Sequence, residues 1–177
     1  MPSRPEILFP LFGQLTQFTG IGPKIAINLS KLNINSPRDL LFTLPHSLLI
    51  RNKIETVLDA INNDIIIIEI IVDEHLENQQ KNRPYKINVS DAKASFQLVF
   101  FHARKNWLWD LFPIGEKVLI SGKLEYFDGK AQITHPDYVF KPGNEEQIPT
   151  LEPIYSLSAG VTQKTLSKAT RQALNLL

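Results

Sequence analysis

The feature that most constrains the fold is a series of five short runs rich in β-branched and aromatic residues, interrupted once by a segment of helical periodicity. The runs are Ile65–Val72, Tyr85–Ser90, Phe96–Phe101, Lys117–Leu124 and Ala131–Tyr138. Between the third and fourth runs, Trp107, Leu108 and Leu111 recur at helical spacing. Asp128-Gly129 predicts a two-residue hairpin turn between the last two runs. We therefore expect five strands with one helix after the third.

This order of elements is that of the oligonucleotide/oligosaccharide-binding (OB) fold, a five-stranded β-barrel. We assign residues 61–141 to the barrel, residues 1–60 to a small helical unit and residues 142–177 to a linker and a helix. The predicted fold class is α+β, with a helix-hairpin-helix-like N-terminal unit followed by the OB barrel.

Helical periodicity marks both flanking segments. After Pro23, apolar residues recur at helical intervals, and Ser36 is the expected N-cap of a second helix. The buried stripe of that second helix is expected to be Leu40, Leu41 and Leu44. Near the C-terminus, Thr162 is the expected N-cap of a helix whose apolar face is formed by Leu166, Ala169, Ala173 and Leu177. Two origins remain open for that face: it docks onto the barrel, or it belongs against a further domain.

The sequence also excludes several classes of chemistry. There is no cysteine, and therefore no disulfide, thiolate metal site or cysteine nucleophile. The four histidines lack metal-ligand spacing, and no Walker A, dinucleotide-binding or nucleophile-elbow motif occurs. We expect no catalytic residues, metal or cofactor within these residues. The longest apolar run is too short to span a membrane and no secretory leader precedes it, so we expect a cytoplasmic protein without membrane contact.

The most specific local motif is the glycine turn Phe18-Thr19-Gly20-Ile21-Gly22-Pro23-Lys24. It is typical of the hairpin in a helix-hairpin-helix DNA-binding motif. Gly20 and Gly22 let the backbone approach a phosphate, the following helix start presents free N–H groups, and Lys24 adds a positive charge. The alternative is a glycine-containing connector that places Ile21 in the core.

Positive charge and aromatic residues coincide in the second half of the barrel. Residues 81–130 contain nine Lys or Arg against five acids, whereas the acidic residues concentrate between Asp64 and Glu77. If Phe96, Leu98 and Phe100 face the interior, Phe101 faces outward. An exposed Phe101 beside His102, Arg104 and Lys105 has the composition of a base-stacking platform. The alternative buries Phe101 under the helix that carries Trp107.

Two further aromatic pairs bear on binding. Tyr126 and Phe127 lie at the predicted hairpin tip, where they contact a ligand or staple the turn. Trp107 and Trp109 are two residues apart on the inserted helix, so at most one of them can face the core fully.

Taken in order, several short segments resemble the N-terminal region of the RecG family of bacterial ATP-dependent branched-DNA helicases. They are Phe18 to Lys24, Asp39 to Pro45, Phe100-Phe101-His102, Gly115 with Val118 to Lys123, His135 to Tyr138, and Pro153-Ile154-Tyr155 with Gly160. The chain departs from the family pattern in three places: Lys105 stands where a second aromatic is usual, His46 to Arg51 keeps only the last arginine, and the turn from Asp91 to Ala94 lacks a glycine.

The resemblance implies an OB-fold wedge that inserts at the branch point of a replication fork or Holliday junction. It implies that Phe101 stacks on the unpaired base and that branched DNA is the partner. We add the hypothesis that Arg104, Lys105 and Lys123 contact the backbone. A helicase motor in cis, using ATP and Mg²⁺, is implied outside these residues. Two alternatives stay open: a scaffold domain that positions such a motor, and a general single-strand-binding OB protein.

Overall fold

The computed structural model describes residues 5–76 and 83–177. The chain forms two compact units. The barrel unit comprises residues 49–151, and the helical unit comprises the chain up to Leu48 together with Glu152–Leu177. This division differs from the three consecutive segments expected from the sequence. Glu77 and Lys81, which contribute to the charge pattern, lie outside the described residues.

Nine strands occur in the described part of the chain. They are β1 (Ser47–Ile50), β2 (Asn52–Lys53), β3 (Ile65–Leu76), β4 (Tyr85–Ser90), β5 (Ser95–Phe100), β6 (Lys117–Phe127), β7 (Lys130–Thr134), β8 (Tyr138–Phe140) and β9 (Leu151–Ile154). β1 and β9 form a two-stranded sheet, and the remaining strands hydrogen-bond in the order β2-β3-β4-β5-β7-β6-β8. An additional pairing of β3 with β6 closes β3 to β7 into a five-stranded barrel. The predicted OB-like fold is confirmed.

The alternation of apolar residues explains which faces of the strands are buried. On β5, Phe96, Leu98 and Phe100 point into the barrel core, as the sequence predicts. On β3 the outer face is buried at Ile67, which packs outside the barrel against Leu119 and Ile148, whereas Glu69 and Ile71 on the same face are exposed. Residues of the expected linker therefore cover the outer face of the barrel.

The expectation of a helical pattern up to residue 60 is wrong for its last part. β1 and β2 lie in that segment, and β2 pairs in parallel with β3. Val57 belongs to the barrel core, and Thr56 is fully buried. Arg51 is also buried and contacts Asp137 across a 3.5 Å ion pair, which ties this segment to the residues after β7. These partners are distant in sequence, so local periodicity does not reveal them.

One helix, α3 (Lys105–Leu111), lies between β5 and β6. Leu108 and the following Phe112 are fully buried in the barrel core. Trp107 and Trp109 flank Leu108 and are 52% and 38% exposed, so neither tryptophan fills the core.

A buried histidine of β3 fixes the C-terminal end of α3. His75 Nε2 donates to the Phe112 carbonyl at 2.7 Å, since a carbonyl can only accept, and Nδ1 accepts from the Tyr85 hydroxyl at 2.9 Å. The imidazole also stacks on Trp109 with a centroid separation of 4.3 Å. The ring of Trp109 therefore packs against β3 of the barrel.

The turn from Asp91 to Ala94 forms without glycine because a carboxylate organises it. Asp91 Oδ1 accepts the N–H groups of Lys93 and Ala94 at 2.8 Å each, and Oδ2 accepts the Val57 N–H at 2.7 Å. Burial alone would raise the pKa of Asp91. The N–H groups of Lys93, Val57 and Ala94, with the Thr56 hydroxyl, outweigh burial and hold that pKa below its ordinary value.

The helical unit is built from α1 (Pro23–Ser30), α2 (Pro37–Phe42) and α4 (Gln163–Leu174). Ser36 is the N-cap of α2, and Asp39 Oδ2 accepts its backbone N–H at 2.9 Å. Burial alone would raise the pKa of Asp39, but hydrogen bonds from Asn35 and Ser36 and the charge of Arg38 keep it lowered. α2 ends before Leu44, which is exposed, so the expected buried stripe is one residue too long.

The C-terminal helix packs against the N-terminal helices. Thr162 caps it by accepting the Thr165 N–H, as the sequence predicts. One core contains Phe18, Leu29 and Leu40 from the N-terminal segment with Leu166 and other residues of α4. Leu177 lies beyond α4 and is exposed, so it does not belong to that core.

Candidate nucleic-acid interface

The predicted stacking residue lies at the C-terminal end of β5. Phe101 is 49% exposed, although the preceding Phe100 is buried in the barrel core. β5 ends at Phe100, and His102 adopts a left-handed φ of 57°, so the chain turns away from the sheet at this point. The exposed position agrees with the strand alternation and not with the alternative in which the inserted helix covers the ring.

The basic residues predicted beside Phe101 follow in the next few positions. Arg104 is the N-cap residue of α3, and Lys105 and Trp107 lie in its first turn. All three are exposed, and they line a shallow depression together with Asn106 and Asp110. We call Phe101, His102, Arg104, Lys105 and Trp107 the Phe101 surface. The aromatic ring and the two cations of this surface are exposed within five consecutive positions of the chain.

Lys123 lies on β6, which is separated from β5 by β7. Two strand spacings correspond to roughly 10 Å across the sheet. Its side chain is half exposed, and its ammonium group lies 3.0 Å from Glu125 Oε1. Lys123 is thus near the Phe101 surface but already has an acidic partner.

Tyr126 is not brought to the Phe101 surface. It lies at the end of β6, opposite Ala131. Because Gln132 pairs with Gln97 in the parallel β5–β7 ladder, Ala131 lies level with Phe96. Five residues at about 3.3 Å each place Tyr126 roughly 16 Å from Phe101 along the strand direction.

The residues around Tyr126 form a second exposed aromatic group, which we call the hairpin tip (residues 126–130). Tyr126 is 46% exposed and Phe127 is 68% exposed. Asp128 and Gly129 have φ angles of 51° and 72°, as a two-residue hairpin requires, so the predicted turn is confirmed. The Tyr126 N–H donates to Asn62 Oδ1 at 3.1 Å.

The glycine turn lies in the helical unit. Gly20 has a φ of 94°, which favours glycine, and Gly22 is the N-cap residue of α1. Lys24 is exposed in the first turn of α1, while Ile21 is buried in the core of this unit. The buried Ile21 and the exposed Lys24 therefore lie in the same turn, so the core role of Ile21 does not exclude the predicted phosphate contact.

Sequence reasoning missed the contact that holds this turn. Gln172 of α4 accepts the Thr19 N–H through Oε1 at 2.9 Å and donates from Nε2 to the Thr19 carbonyl at 3.3 Å. The two residues are 153 positions apart, so no local signal identifies the pair.

His135 is also placed differently from the expectation. The predicted last run, Ala131–Tyr138, places His135 within a strand, but β7 ends at Thr134 and His135 has a left-handed φ of 46°. Its Nε2 accepts the Phe101 N–H at 2.9 Å. His135 is therefore part of the surroundings of the candidate stacking residue.

Within residues 5–76 and 83–177, no helix combines the length and apolar character needed to cross a bilayer. In the same ranges, no three His, Asp or Glu side chains converge in an arrangement that could hold a metal ion.

A family model described as the RecG wedge domain matches residues 15–177 of this chain. The chain is 32% identical over 166 residues to the ATP-dependent DNA helicase RecG of Haemophilus influenzae, and 30% identical over 172 residues to that of Escherichia coli K12. Each match covers 92% of this chain and 24% of the relative. The chain therefore spans about a quarter of the length of these curated relatives.

Similarity extends to a solved structure of RecG bound to a three-way DNA junction. That structure matches with a TM-score of 0.70 and 22% sequence identity, over 97% of this chain and 24% of the other. At that level of identity the match shows a shared fold.

Proposed function

The chain belongs to the RecG wedge domain family, and from that premise we propose that it binds branched DNA at the branch point of a replication fork or Holliday junction. The chain's similarity in fold to a RecG that was solved with a three-way DNA junction supports the proposal. Binding is selective for DNA structure and not for base sequence, because stacking faces and phosphate contacts read strand geometry.

The observation that carries the proposal is the exposure of Phe101 at the end of a barrel strand whose neighbouring aromatic is buried. A base that has lost its pairing partner can stack on such a ring, which contributes roughly 1–3 kcal/mol per base. A paired base within a duplex is already stacked on both faces and gains little from the same ring. Phe101 therefore favours the branch over linear duplex.

Positive side chains near the ring supply the backbone contacts. Arg104 and Lys105 are exposed within four residues of Phe101, and Lys123 lies on a neighbouring part of the barrel. We assign phosphate contacts to all three, with a smaller contribution from Lys123 because Glu125 pairs with it. Lys24, with Gly20 and Gly22 at the start of α1, gives an auxiliary phosphate contact from the helical unit.

A second stacking aromatic is supplied by Trp107 in this proposal. Lys105 stands where the family usually has an aromatic, which leaves the tryptophans of α3 as candidates. Trp109 is stacked on His75, whereas Trp107 is more exposed and lines the depression with Arg104.

In the intact protein, the wedge acts with a motor in cis that hydrolyses ATP with Mg²⁺ and pulls duplex DNA against it. The supporting observation is that the curated relatives are ATP-dependent DNA helicases of which this chain spans 24%. Recombination, repair and fork regression are the processes that need such an activity. The residues of this chain bind and separate strands, and the nucleotide chemistry is assigned to the motor.

The test is fluorescence anisotropy of the 177-residue chain with a model fork, a matched linear duplex and a single strand, each at two salt concentrations. We expect fork affinity to exceed duplex and single-strand affinity and to fall with salt. Single-strand affinity equal to or above fork affinity would favour a general single-strand-binding protein. No binding to any of the three would favour the scaffold alternative.

Phe101→Ala is the variant that tests the role of the ring. It should weaken fork binding and leave linear duplex binding nearly unchanged. Equal losses on both substrates would contradict the wedge role of Phe101. Because Phe101 is exposed, the substitution should leave the stability of the fold nearly unchanged. Thermal unfolding of the same preparation checks this.

A further inference from the structure

Phe101 leaves the barrel ladder where both of its neighbouring strand pairings end. The β4–β5 pairing ends at Tyr85 and Phe100, and the β5–β7 pairing ends at Val99 and Thr134. The Phe101 N–H therefore lies beyond the last paired residue of either ladder. It donates instead to Nε2 of His135 at 2.9 Å, so a side chain takes the place of the next strand residue.

The backbone of His135 is itself held in place. Its N–H donates to the Val99 carbonyl at 3.0 Å, and its φ of 46° lies in the left-handed region, which costs a residue other than glycine free energy. This conformation turns the side chain back towards the end of β5. Such strain persists only where surrounding contacts impose it.

The imidazole also contacts both aromatic rings at the end of β5. Its centroid lies 5.6 Å from that of the buried Phe100 in an edge-to-face arrangement, and 6.0 Å from that of Phe101. His135 thus connects the exposed ring to the barrel core through one hydrogen bond and two ring contacts. Because Nε2 accepts from an N–H, the neutral ring carries its proton on Nδ1.

From this geometry we propose that His135 is the positioning residue for Phe101: its Nε2 fixes the backbone on which the stacking ring is presented to the branch. The inference rests on the proposed function, since the effect on DNA requires Phe101 to stack. His135 itself touches no base in this proposal and acts through Phe101. A fixed ring loses less conformational freedom when a base stacks on it, so fork affinity rises.

Two matched substitutions separate the acceptor atom from the other properties of the residue. In His135→Gln, Oε1 occupies the same bonded position from Cβ as Nε2 and can accept the Phe101 N–H. In His135→Asn, the amide oxygen corresponds to Nδ1 and not to Nε2, so it is not placed to accept the Phe101 N–H. Asparagine nevertheless tolerates a left-handed φ better than glutamine does. A purely structural role at this turn therefore favours the Asn variant, whereas positioning through Nε2 favours the Gln variant.

The contact is tested first without DNA, by NMR on the full 177-residue chain. We expect the Phe101 amide to exchange slowly in the parent and in His135→Gln, and at least about tenfold faster in His135→Asn. Long-range proton–nitrogen correlation should find the His135 proton on Nδ1. Equal exchange rates in all three proteins, or a proton on Nε2, would overturn the proposal.

The effect on function is tested with a three-way junction that carries 2-aminopurine at the branch. His135→Asn should lose roughly 5- to 100-fold in junction affinity and should lose the change in 2-aminopurine fluorescence, while His135→Gln retains both. In a Phe101→Ala background, His135→Asn should cause no further loss, because the ring that it positions is gone. An equal loss in both backgrounds would reject a role through Phe101.

The two hypotheses fail in different ways. If exchange behaves as expected but Phe101→Ala leaves junction affinity unchanged, the proposed function is wrong and the contact between His135 and Phe101 stands. If Phe101→Ala weakens junction binding but His135→Asn does not, the positioning role is wrong and the wedge function stands.

Discussion

The two ends of β5 carry similar exposed groups and are built in different ways. At one end, the Phe101 surface combines an aromatic ring with Arg104 and Lys105. At the other, the hairpin tip combines Tyr126 and Phe127 with Lys130. Composition and exposure alone do not distinguish these groups, and Phe127 is more exposed than Phe101.

The supporting contacts distinguish them. His135 holds the backbone of Phe101, and His75 holds the C-terminal end of α3, the helix whose first turn carries Lys105 and Trp107. The hairpin tip is held by the β6–β7 ladder and by one hydrogen bond from Tyr126 to Asn62. A site that must present a ring in one orientation needs the first kind of support. An exposed ring whose backbone is fixed, and not exposure itself, therefore distinguishes the candidate interface.

The largest expected difference between the two ends is in stability. His75→Ala should lower the free energy of unfolding by about 3 kcal/mol, because it removes the donor to the Phe112 carbonyl, the hydrogen bond from the Tyr85 hydroxyl and the stacking on Trp109. Phe127→Ala at the hairpin tip should change it by less than about 0.5 kcal/mol. Urea denaturation followed by tryptophan fluorescence measures both. A similar loss in both variants would remove the structural distinction.

The next difference is in fork affinity. Phe101→Ala should reduce it by about 1–3 kcal/mol, which corresponds to roughly 5- to 150-fold. Tyr126→Ala is the matched control, because Tyr126 is an aromatic residue of similar exposure at the other end of β5. It should leave fork affinity within about twofold of the parent. Anisotropy titrations with the same fork compare the two variants. A larger loss from Tyr126→Ala would move the interface to the hairpin tip.

Acid should weaken the end of β5 that Asp91 organises, which is the end nearer the hairpin tip. The pKa of Asp91 is lowered in the folded state, so its stabilisation is complete above the unfolded value of about 3.9 and is lost as pH falls through the lower folded value. Asp91→Asn should remove about 1–2 kcal/mol at pH 7 and flatten the acid dependence of the barrel.

Tryptophan fluorescence reports on the barrel unit alone, because the two tryptophans of the chain, Trp107 and Trp109, both lie in it. Tryptophan fluorescence during denaturation between pH 3 and pH 7 therefore follows the barrel. Asp39, whose pKa is also lowered, lies in the helical unit, so its titration does not enter this fluorescence signal. An unchanged acid profile in Asp91→Asn would assign the acid sensitivity of the barrel to other groups.

The smallest expected difference is in the salt dependence of fork binding. Arg104→Gln should reduce the slope of log affinity against log salt by about 0.9, the value for one lost phosphate contact on duplex DNA. Lys123→Gln should reduce it by less, because Glu125 already pairs with Lys123. Lys130→Gln at the hairpin tip should leave the slope unchanged. Anisotropy across a salt series supplies all three slopes.

The sequence predicts the barrel well because its information is local. The alternation on β5 identifies Phe96, Leu98 and Phe100 as interior and Phe101 as exposed, and the structure agrees. The dipeptide Asp128-Gly129 similarly predicts a hairpin that the structure contains. In each case the deciding residues are adjacent in the chain.

The missed features depend on partners that are far apart in the chain. Val57 enters the barrel core, and β2 pairs with β3, although the surrounding sequence has a helical pattern. The contact between Phe101 and His135 spans 34 positions, and the one between Thr19 and Gln172 spans 153. Neither periodicity nor turn propensity contains this information, so the supports of the candidate site become visible only in the folded chain.

The division of the chain into two units has a consequence for its synthesis. The core of the helical unit needs Phe18 and Leu40 from one end of the sequence and Leu166 from the other, with the barrel unit between them. A ribosome that adds roughly 5–20 residues per second takes about 5–20 s to produce the intervening hundred residues. At the end of that interval the barrel has all its strands, whereas the apolar faces of α1 and α2 still lack α4. The barrel is therefore expected to fold first, and the nascent N-terminal helices are the part of the chain that chaperones would encounter.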